Sequence, residues 1–242
     1  MISISQKQFY NRINPQYLRY EINKPYASYL VRKIVNLLNK TKALNVLEIG
    51  AGQGRFSIEL TKHVNHLTAT DISQNELNLL EKLKKTIGIK NITVEEIDIR
   101  KRNSKHKHKY DAIVGFHVLH HISKKYYFSV ADNIKNMIKK DGCVSFIEPN
   151  NLYPFHIVEM LITKDMEWRI EKGIYSDYIG SFKKACKAKG LKLTICRKFG
   201  FFPPPIINKF PWVIKLDRII EKIPLFNQFF CPFILVSFQK EG

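Results

Sequence analysis

Acid is what this chain is short of. Its 242 residues carry 40 lysines and arginines against 21 aspartates and glutamates, a formal net charge of +19. Such an excess is compatible with nucleic acid or an anionic membrane as partner. Most of the lysines, however, stand singly on the backs of helical patterns, which assigns the charge to solvated faces. Cysteine is scarce too. Cys143, Cys186, Cys196 and Cys231 show no C-x-x-C spacing, so reduced thiols are expected, with no disulfide framework and no metal site. No apolar run reaches membrane-spanning length, because Lys215, Asp217, Arg218, Glu221 and Lys222 interrupt the longest candidate. The first residues, MISISQKQFYNRINPQ, have no apolar leader core, and a cytoplasmic location is expected.

What is present centres on Val46–Ser57, VLEIGAGQGRFS. An apolar run (Val46, Leu47, Ile49) stops at Gly50, Gly52 and Gly54, and a helical pattern (Phe56, Leu60, Val64) follows. That reads as a buried parallel strand, a tight turn and a helix whose first N–H groups face a ligand. The spacing is E-x-G-x-G-x-G, with Glu48 at the strand end. It is not the G-x-G-x-x-G of pyrophosphate binders, which argues against a nicotinamide oxidoreductase. The second strand ends in an acid, Asp71, suited to the two hydroxyls of a ribose.

At these residues the chain resembles the class I S-adenosylmethionine-dependent methyltransferases, in particular the small-molecule type 11 group. The resemblance implies that Glu48, Gly50, Gly52 and Gly54 belong to the turn around the methionine part of S-adenosylmethionine. Asp71 would hold the ribose, with Ile72 beside it. A third strand, Ile92–Ile99, ends at Asp98-Ile99, where an acid of the family bonds the adenine amino group and its neighbour packs on the ring. The fourth strand, Tyr110–Phe116, is followed by HVLHHI, 117–122, similar to the family's segment in which the residue at Phe116 or His117 touches the cofactor. A histidine there is suited to accept a hydroxyl proton. His117 and His120 are therefore the catalytic candidates, against a reading in which the histidines only shape the pocket. Glu148-Pro149-Asn150 matches the family's substrate mouth, where Glu148 is either catalytic or, more usually, a loop anchor.

The resemblance implies a doubly wound α/β fold, a seven-stranded Rossmann-like sheet in the order 3-2-1-4-5-7-6 with the seventh strand antiparallel. One methyltransferase domain is expected over 1–242, with lid helices in 1–42, a cofactor-binding core in 43–150 and a substrate-covering half in 151–242. A helix opens at Pro25 and runs to Lys40. Ser73-x-x-Glu76 reads as a capping box and Gly88 as a helix end. A helix spans Lys125–Lys140, a turn falls at Asp141-Gly142, and strands follow at Cys143–Glu148, Leu191–Phe199 and Cys231–Phe238. The aromatic and basic stretch 1–24 has no clean periodicity, and Tyr10, Tyr17 and Tyr20 either line the site or, the favoured reading, only pack. The run RKRNSKHKHK, 100–109, lacks interleaved aromatics and reads as a solvated loop.

The departure from the family is 200–230, a long apolar segment with Pro203-Pro204-Pro205, Phe210 and Trp212, then an amphipathic helix presenting Leu216, Ile219, Ile220 and Ile223. It reads either as a roof over the pocket or as a dock on a membrane surface. Both point to a small hydrophobic or lipid-linked acceptor. The rivals are an RNA methyltransferase using 100–109, against which stands the lack of an N-P-P-Y/F tetrapeptide after the fourth strand, and a non-catalytic protein that binds the cofactor. Nucleic acid is not the expected partner.

Overall fold

The computed structural model describes residues 6–12, 15–38, 44–164, 166–221, 223 and 229–240, without the side chains of Ile162 and Arg218. Lys40, where the first helix was expected to end, Lys222, and residues 224–228 of the apolar segment lie outside the described residues.

The apolar runs pair into one sheet. Its strands are β1 (Asn45–Ile49), β2 (His66–Asp71), β3 (Ile92–Glu96), β4 (Tyr110–Phe116), β5 (Ile138–Pro149), β6 (Leu191–Phe199) and β7 (Phe233–Lys240). Their order is β3-β2-β1-β4-β5-β7-β6. β1 to β5 run parallel and β7 is antiparallel to both neighbours, the topology expected. The central strands are apolar on both faces because helices cover both. On one side α2 (Tyr20–Leu38) and α3 (Ser57–Leu60) pack on Val46, Leu67 and Val114. On the other, α5 (Tyr127–Met137) and α8 (Tyr178–Ala188) pack on Leu47, Ile113 and Phe146. The strand order reverses between β1 and β4, so a crevice opens beyond their carboxyl ends, the usual ligand position in such sheets.

Several boundaries differ from expectation. α2 starts at Tyr20 and carries Pro25 inside it; the Asn23 amide ties the preceding segment down by donating to the carbonyls of Tyr17 and Arg19. β3 stops at Glu96, which leaves Asp98 and Ile99 in the loop beyond. Asp141-Gly142 is no chain reversal. β5 begins directly after α5 and passes through that point with a register shift against β4, Asp141 taking a φ of 61°, as in a β-bulge. Only half of the capping box forms. Ser73 opens α4 (Gln74–Ile87) by accepting from the Glu76 amide at 3.3 Å, while the Glu76 carboxylate turns to Gln53. Gly88 closes α4 in the left-handed conformation.

The 200–230 segment folds into α9 (Pro204–Lys209), a 3-10 turn at Pro211–Val213 and α10 (Ile214–Ile220). Its apolar face is turned outward. Leu216, Ile219 and Ile223 are exposed, Ile219 to 65%, whereas Asp217 is fully buried. The reason is a set of hydrogen bonds: Asp217 accepts from the Phe201 amide at 3.0 Å, and Glu221 accepts from the Gly200 amide, the Tyr29 hydroxyl and Lys33. Among the described residues no helix is long and apolar enough to cross a membrane.

Gly54 shows how closely the glycine turn is fitted. Its φ is 89°, and a Cβ there would meet Leu80 Cδ1 of α4 at 2.4 Å. Gly54→Ala is expected to destabilise the protein by about 1–3 kcal/mol in urea denaturation; an unchanged midpoint would show that the turn has room to relax.

Candidate functional site

The crevice is a cleft of about 1780 Å³. Gly50 and Ala51 turn out of β1 by donating to the Thr70 carbonyl at 2.8 and 2.9 Å. Gly50 and Gly52 have φ of 75° and 52°, values open to glycine. The Gly52 amide then donates to Asp71 Oδ2 at 2.9 Å, and the Ser73 amide to Asp71 Oδ1 at 2.9 Å. One carboxylate thereby ties the turn after β1 to the end of β2. Burial, chiefly, raises the Asp71 pKa. Beside it Glu76 is pushed up to about 8 by burial and then by Asp71.

Gly50, Gly52, Asp71, Ile72, Asp98, Ile99, Phe116 and His117 all line the cleft. Glu48 and Gly54, read from the sequence as cofactor contacts, do not. Glu48 is buried beneath the turn, where it accepts from the Ser57 hydroxyl at 2.5 Å at the start of α3; Gly54 faces Leu80. Both shape the turn from behind. Asp98 is in the cleft but engaged: Arg100 forks onto it at 2.7 and 2.9 Å and adds its own amide at 3.1 Å. Those hydrogen bonds hold the Asp98 carboxyl below its usual pKa. Three of its roughly four acceptor positions are used.

The histidines separate into different roles. His117 sits in a left-handed conformation, φ 53°. Its Nε2 meets the Tyr26 hydroxyl at 2.7 Å, its ring stacks on Tyr26, and Phe56 and Phe233 tilt against it. Burial, then Arg55, lowers its pKa well below the ordinary value, so it is neutral. His120 is a different matter and corrects the expectation of a general base. It is buried with both ring nitrogens on carboxylates, Nδ1 on Glu148 at 2.8 Å and Nε2 on Glu171 at 3.3 Å. Burial opposes its charge, but the hydrogen bonds to Glu148 and Glu171 outweigh it and hold the pKa at about 9. An imidazolium between two carboxylates has no lone pair to offer a substrate. Glu148 also accepts from the amides of Val118 and Leu119 at 2.8 and 2.9 Å, which makes it the loop anchor expected.

Tyr10 and Tyr17 line the cleft, the less favoured of the two readings open to them; Tyr20 packs, buried with its hydroxyl toward Glu59. Other cleft residues escaped the sequence reading. Arg55 lies inside the glycine motif, with its guanidinium over the Phe56 ring at 4.6 Å and a buried Nε without a hydrogen-bond partner among the described residues. Glu171 comes from α7 (Trp168–Glu171), fifty residues beyond the histidine it meets. The arginine was visible in the motif; Glu171 carried no local signal.

A glycine turn at the carboxyl edge of a 3-2-1-4-5-7-6 sheet, tied to an acid on the second strand, agrees with a class I S-adenosylmethionine-dependent methyltransferase domain, which the comparisons support. Residues 47–144 match the family described as Methyltransferase domain. The chain is 27% identical over 118 residues to an rRNA adenine N-6-methyltransferase of Lysinibacillus sphaericus, 48% of each length. It is 23% identical over 147 residues to a ubiquinone biosynthesis O-methyltransferase of Rickettsia canadensis, 59% of this chain and 58% of the relative. It thus spans about half the length of these curated relatives. A crystal structure of a SAM-dependent methyltransferase from Aquifex aeolicus superposes with a TM-score of 0.62 at 13% identity, covering 95% of this chain and 100% of that one, a likeness of fold.

The buried Glu48 gives a pH test. In the unfolded chain its carboxyl ionises near 4.5, in the folded protein near 7, because burial disfavours the charge. The contribution of this group is therefore complete below about pH 4.5 and is lost as pH rises through about 7, by up to ~3 kcal/mol. Glu48→Gln keeps an acceptor for Ser57 and cannot ionise. Between about pH 5 and about pH 8, urea denaturation is expected to move the variant up relative to the wild type by that amount. A constant difference would mean that Glu48 ionises without penalty.

Proposed function

We propose that the chain transfers the methyl group of S-adenosylmethionine to a hydrophobic or lipid-linked acceptor that it meets at an anionic membrane surface. The residues present suit that cofactor. Gly52 turns bare backbone into the cleft at a φ of 52°, a conformation open to glycine. Asp71 brings a carboxylate for the ribose hydroxyls, Ile72 and Ile99 supply apolar walls, and Phe116 and His117 stand at the methionine end. Bound, the cofactor would supply an electrophilic methyl group on a sulfonium. The chain's part is to align the acceptor in line with it and keep water out, which contributes on the order of several kcal/mol.

The acceptor class rests on one observation. Of the eighteen large apolar side chains exposed among the described residues, fifteen lie from Leu152 to Phe229. All of these but Leu193 of β6 fall on or beside α6 (His156–Ile162), α7 and the α9–α10 segment, and Phe155, Val158, Tyr175 and Ile206 among them also line the cleft. The apolar belt and the cleft mouth are one surface. Lys164, Lys172, Lys209 and Lys215 are exposed within it, as a belt lying on anionic headgroups requires. The name of the ubiquinone O-methyltransferase relative agrees with an apolar acceptor. The basic run 100–109, which an RNA reading would use, is partly spent inside the protein: Arg100 on Asp98, Lys105 on Glu95, and His106 buried against the Tyr110 hydroxyl.

Methyl-labelled S-adenosylmethionine incubated with the protein and a cell extract is expected to leave label in the organic-soluble fraction. Label in RNA would overturn the acceptor class, and no label despite intact cofactor binding would indicate a silent site. Asp71→Ala is expected to weaken binding of S-adenosylhomocysteine at least ten-fold by calorimetry; undiminished binding would remove the cofactor assignment. In a separate test the protein is expected to sediment with vesicles containing anionic lipid and less so with neutral ones. The paired change Leu161→Ser and Ile219→Ser should reduce sedimentation several-fold; vesicle binding that ignores both changes would place the contact elsewhere.

A further inference from the structure

The group formed by His120, His121 and Glu171 exceeds what a packing role requires. We propose that these three residues bind a divalent transition-metal ion of the zinc type at the acceptor end of the cleft. Each offers one donor atom, all within 4.8 Å of one another, and all three residues line the cleft. This replaces the expectation, drawn from the sequence, that the chain has no metal site.

The supporting contacts are those of a metal centre. Glu148 holds His120 Nδ1 at 2.8 Å, which directs Nε2 toward Glu171; a carboxylate behind a histidine is the usual device that fixes a ligand's tautomer and angle. The Nε2 to Glu171 Oε2 distance is 3.3 Å. A charge-assisted hydrogen bond closes to about 2.7–2.9 Å. Two donors each about 2.0–2.1 Å from a tetrahedral ion stand about 3.3 Å apart, so an ion that displaced the Nε2 proton from the His120–Glu171 contact would find the pair already at ligand spacing. The third donor is supported likewise. The Tyr10 hydroxyl reaches His121 Nε2 at 3.5 Å and the Ile170 backbone also bonds the ring, while His121 Nδ1, shielded from solvent, has no partner of good hydrogen-bond geometry among the described residues. A buried polar atom without a partner is costly, and a cation would satisfy it once the ring turns to close on the other two. The backbone keeps the two halves of the site together: a Cβ on Gly173, two residues past Glu171, would fall 1.9 Å from the His120 carbonyl oxygen.

Two imidazoles and one carboxylate suit zinc, cobalt, nickel or iron(II) better than magnesium or calcium, which favour all-oxygen sets. Three protein ligands leave coordination positions open, and these face the cleft, where an oxygen of the acceptor would occupy one. That use rests on the proposed methyl transfer; the binding of the ion does not.

The test uses the intact chain without cofactor, titrated with Co²⁺ by calorimetry and visible absorption. One ion per chain is expected, with ligand-field bands and no thiolate charge-transfer band. Glu171→Gln and His121→Asn are each expected to weaken binding at least ten-fold, with folding checked by circular dichroism and by binding of S-adenosylhomocysteine. Should either variant fail to fold, paramagnetic shifts of two histidine ring N–H resonances in the wild-type protein decide instead. The proposal is overturned by a lack of stoichiometric binding, by equal affinity in folded variants, by wild-type titration without shifted histidine signals, or by a thiolate band pointing to exposed Cys196. Loss of S-adenosylhomocysteine binding in a wild-type protein that still takes up Co²⁺ would count against the methyltransferase reading and leave the metal site standing.

Discussion

The acceptor side of the molecule hangs from one buried carboxylate. Glu148, at the end of β5 and fully shielded from solvent, accepts the amides of Val118 and Leu119 and the Nδ1–H of His120. Those three donors belong to the segment that leaves β4, the strand beside it in the sheet. Through His120 the same carboxylate reaches Glu171, and so fixes α7 over the cleft. Removing one partner of such a buried set leaves an uncompensated charge, typically worth about 3–5 kcal/mol. The cost of burying Glu148 is met by three donors at once, which is the condition under which a buried carboxylate is tolerable.

That anchor also explains the strained backbone at His117. A φ of 53° is unfavourable for a residue with a Cβ, yet here it is held from both sides. The His117 amide donates to the Ile147 carbonyl at 2.8 Å, the ring is bonded to Tyr26, and the next two amides are fixed on Glu148. The strain sits where β4 meets the cleft, and its effect is to turn the His117 ring toward α2. The cofactor side is built by the same logic with fewer parts: Asp71 ties two strand ends together through the Gly52 amide, and Glu48 supports the turn from below through Ser57.

Local features were legible in the sequence and long-range ones were not. The strand, turn and helix around Gly50 could be read because each needs residues that stand next to one another, and Gly88 because a left-handed helix end selects glycine. Asp71 could be read from its place at a strand end. Glu48 was misread because a motif gives neighbourhood without direction: along a strand, side chains alternate between faces, and its side chain points to Ser57 instead of the cleft. His120 was misread because its two carboxylates lie 28 and 51 residues away in the chain. Tyr10 and Tyr17 could be named as candidates but not placed, because their short N-terminal elements have no period to display.

The α9–α10 segment carries the lesson furthest. Amphipathic periodicity says that a helix has two faces; it does not say which one is inside. In α10 that choice was made by hydrogen bonding. Two amides at the exit of β6, of Gly200 and Phe201, meet Glu221 and Asp217, and Lys33 with Tyr29 of α2 closes around Glu221. Acids therefore face inward, in a chain short of acid, and Leu216 and Ile219 face outward. Outward apolar surface at about 25 cal/mol per Å² is a standing penalty for a protein alone in water. α6 carries the same burden on the other rim of the cleft, with Ile157, Val158 and Leu161 exposed. Two segments thus hold apolar faces away from the core, and exposed lysines stand in the same stretch of chain. On the proposed function, a cleft that opens beside these apolar faces would receive its acceptor from such a layer.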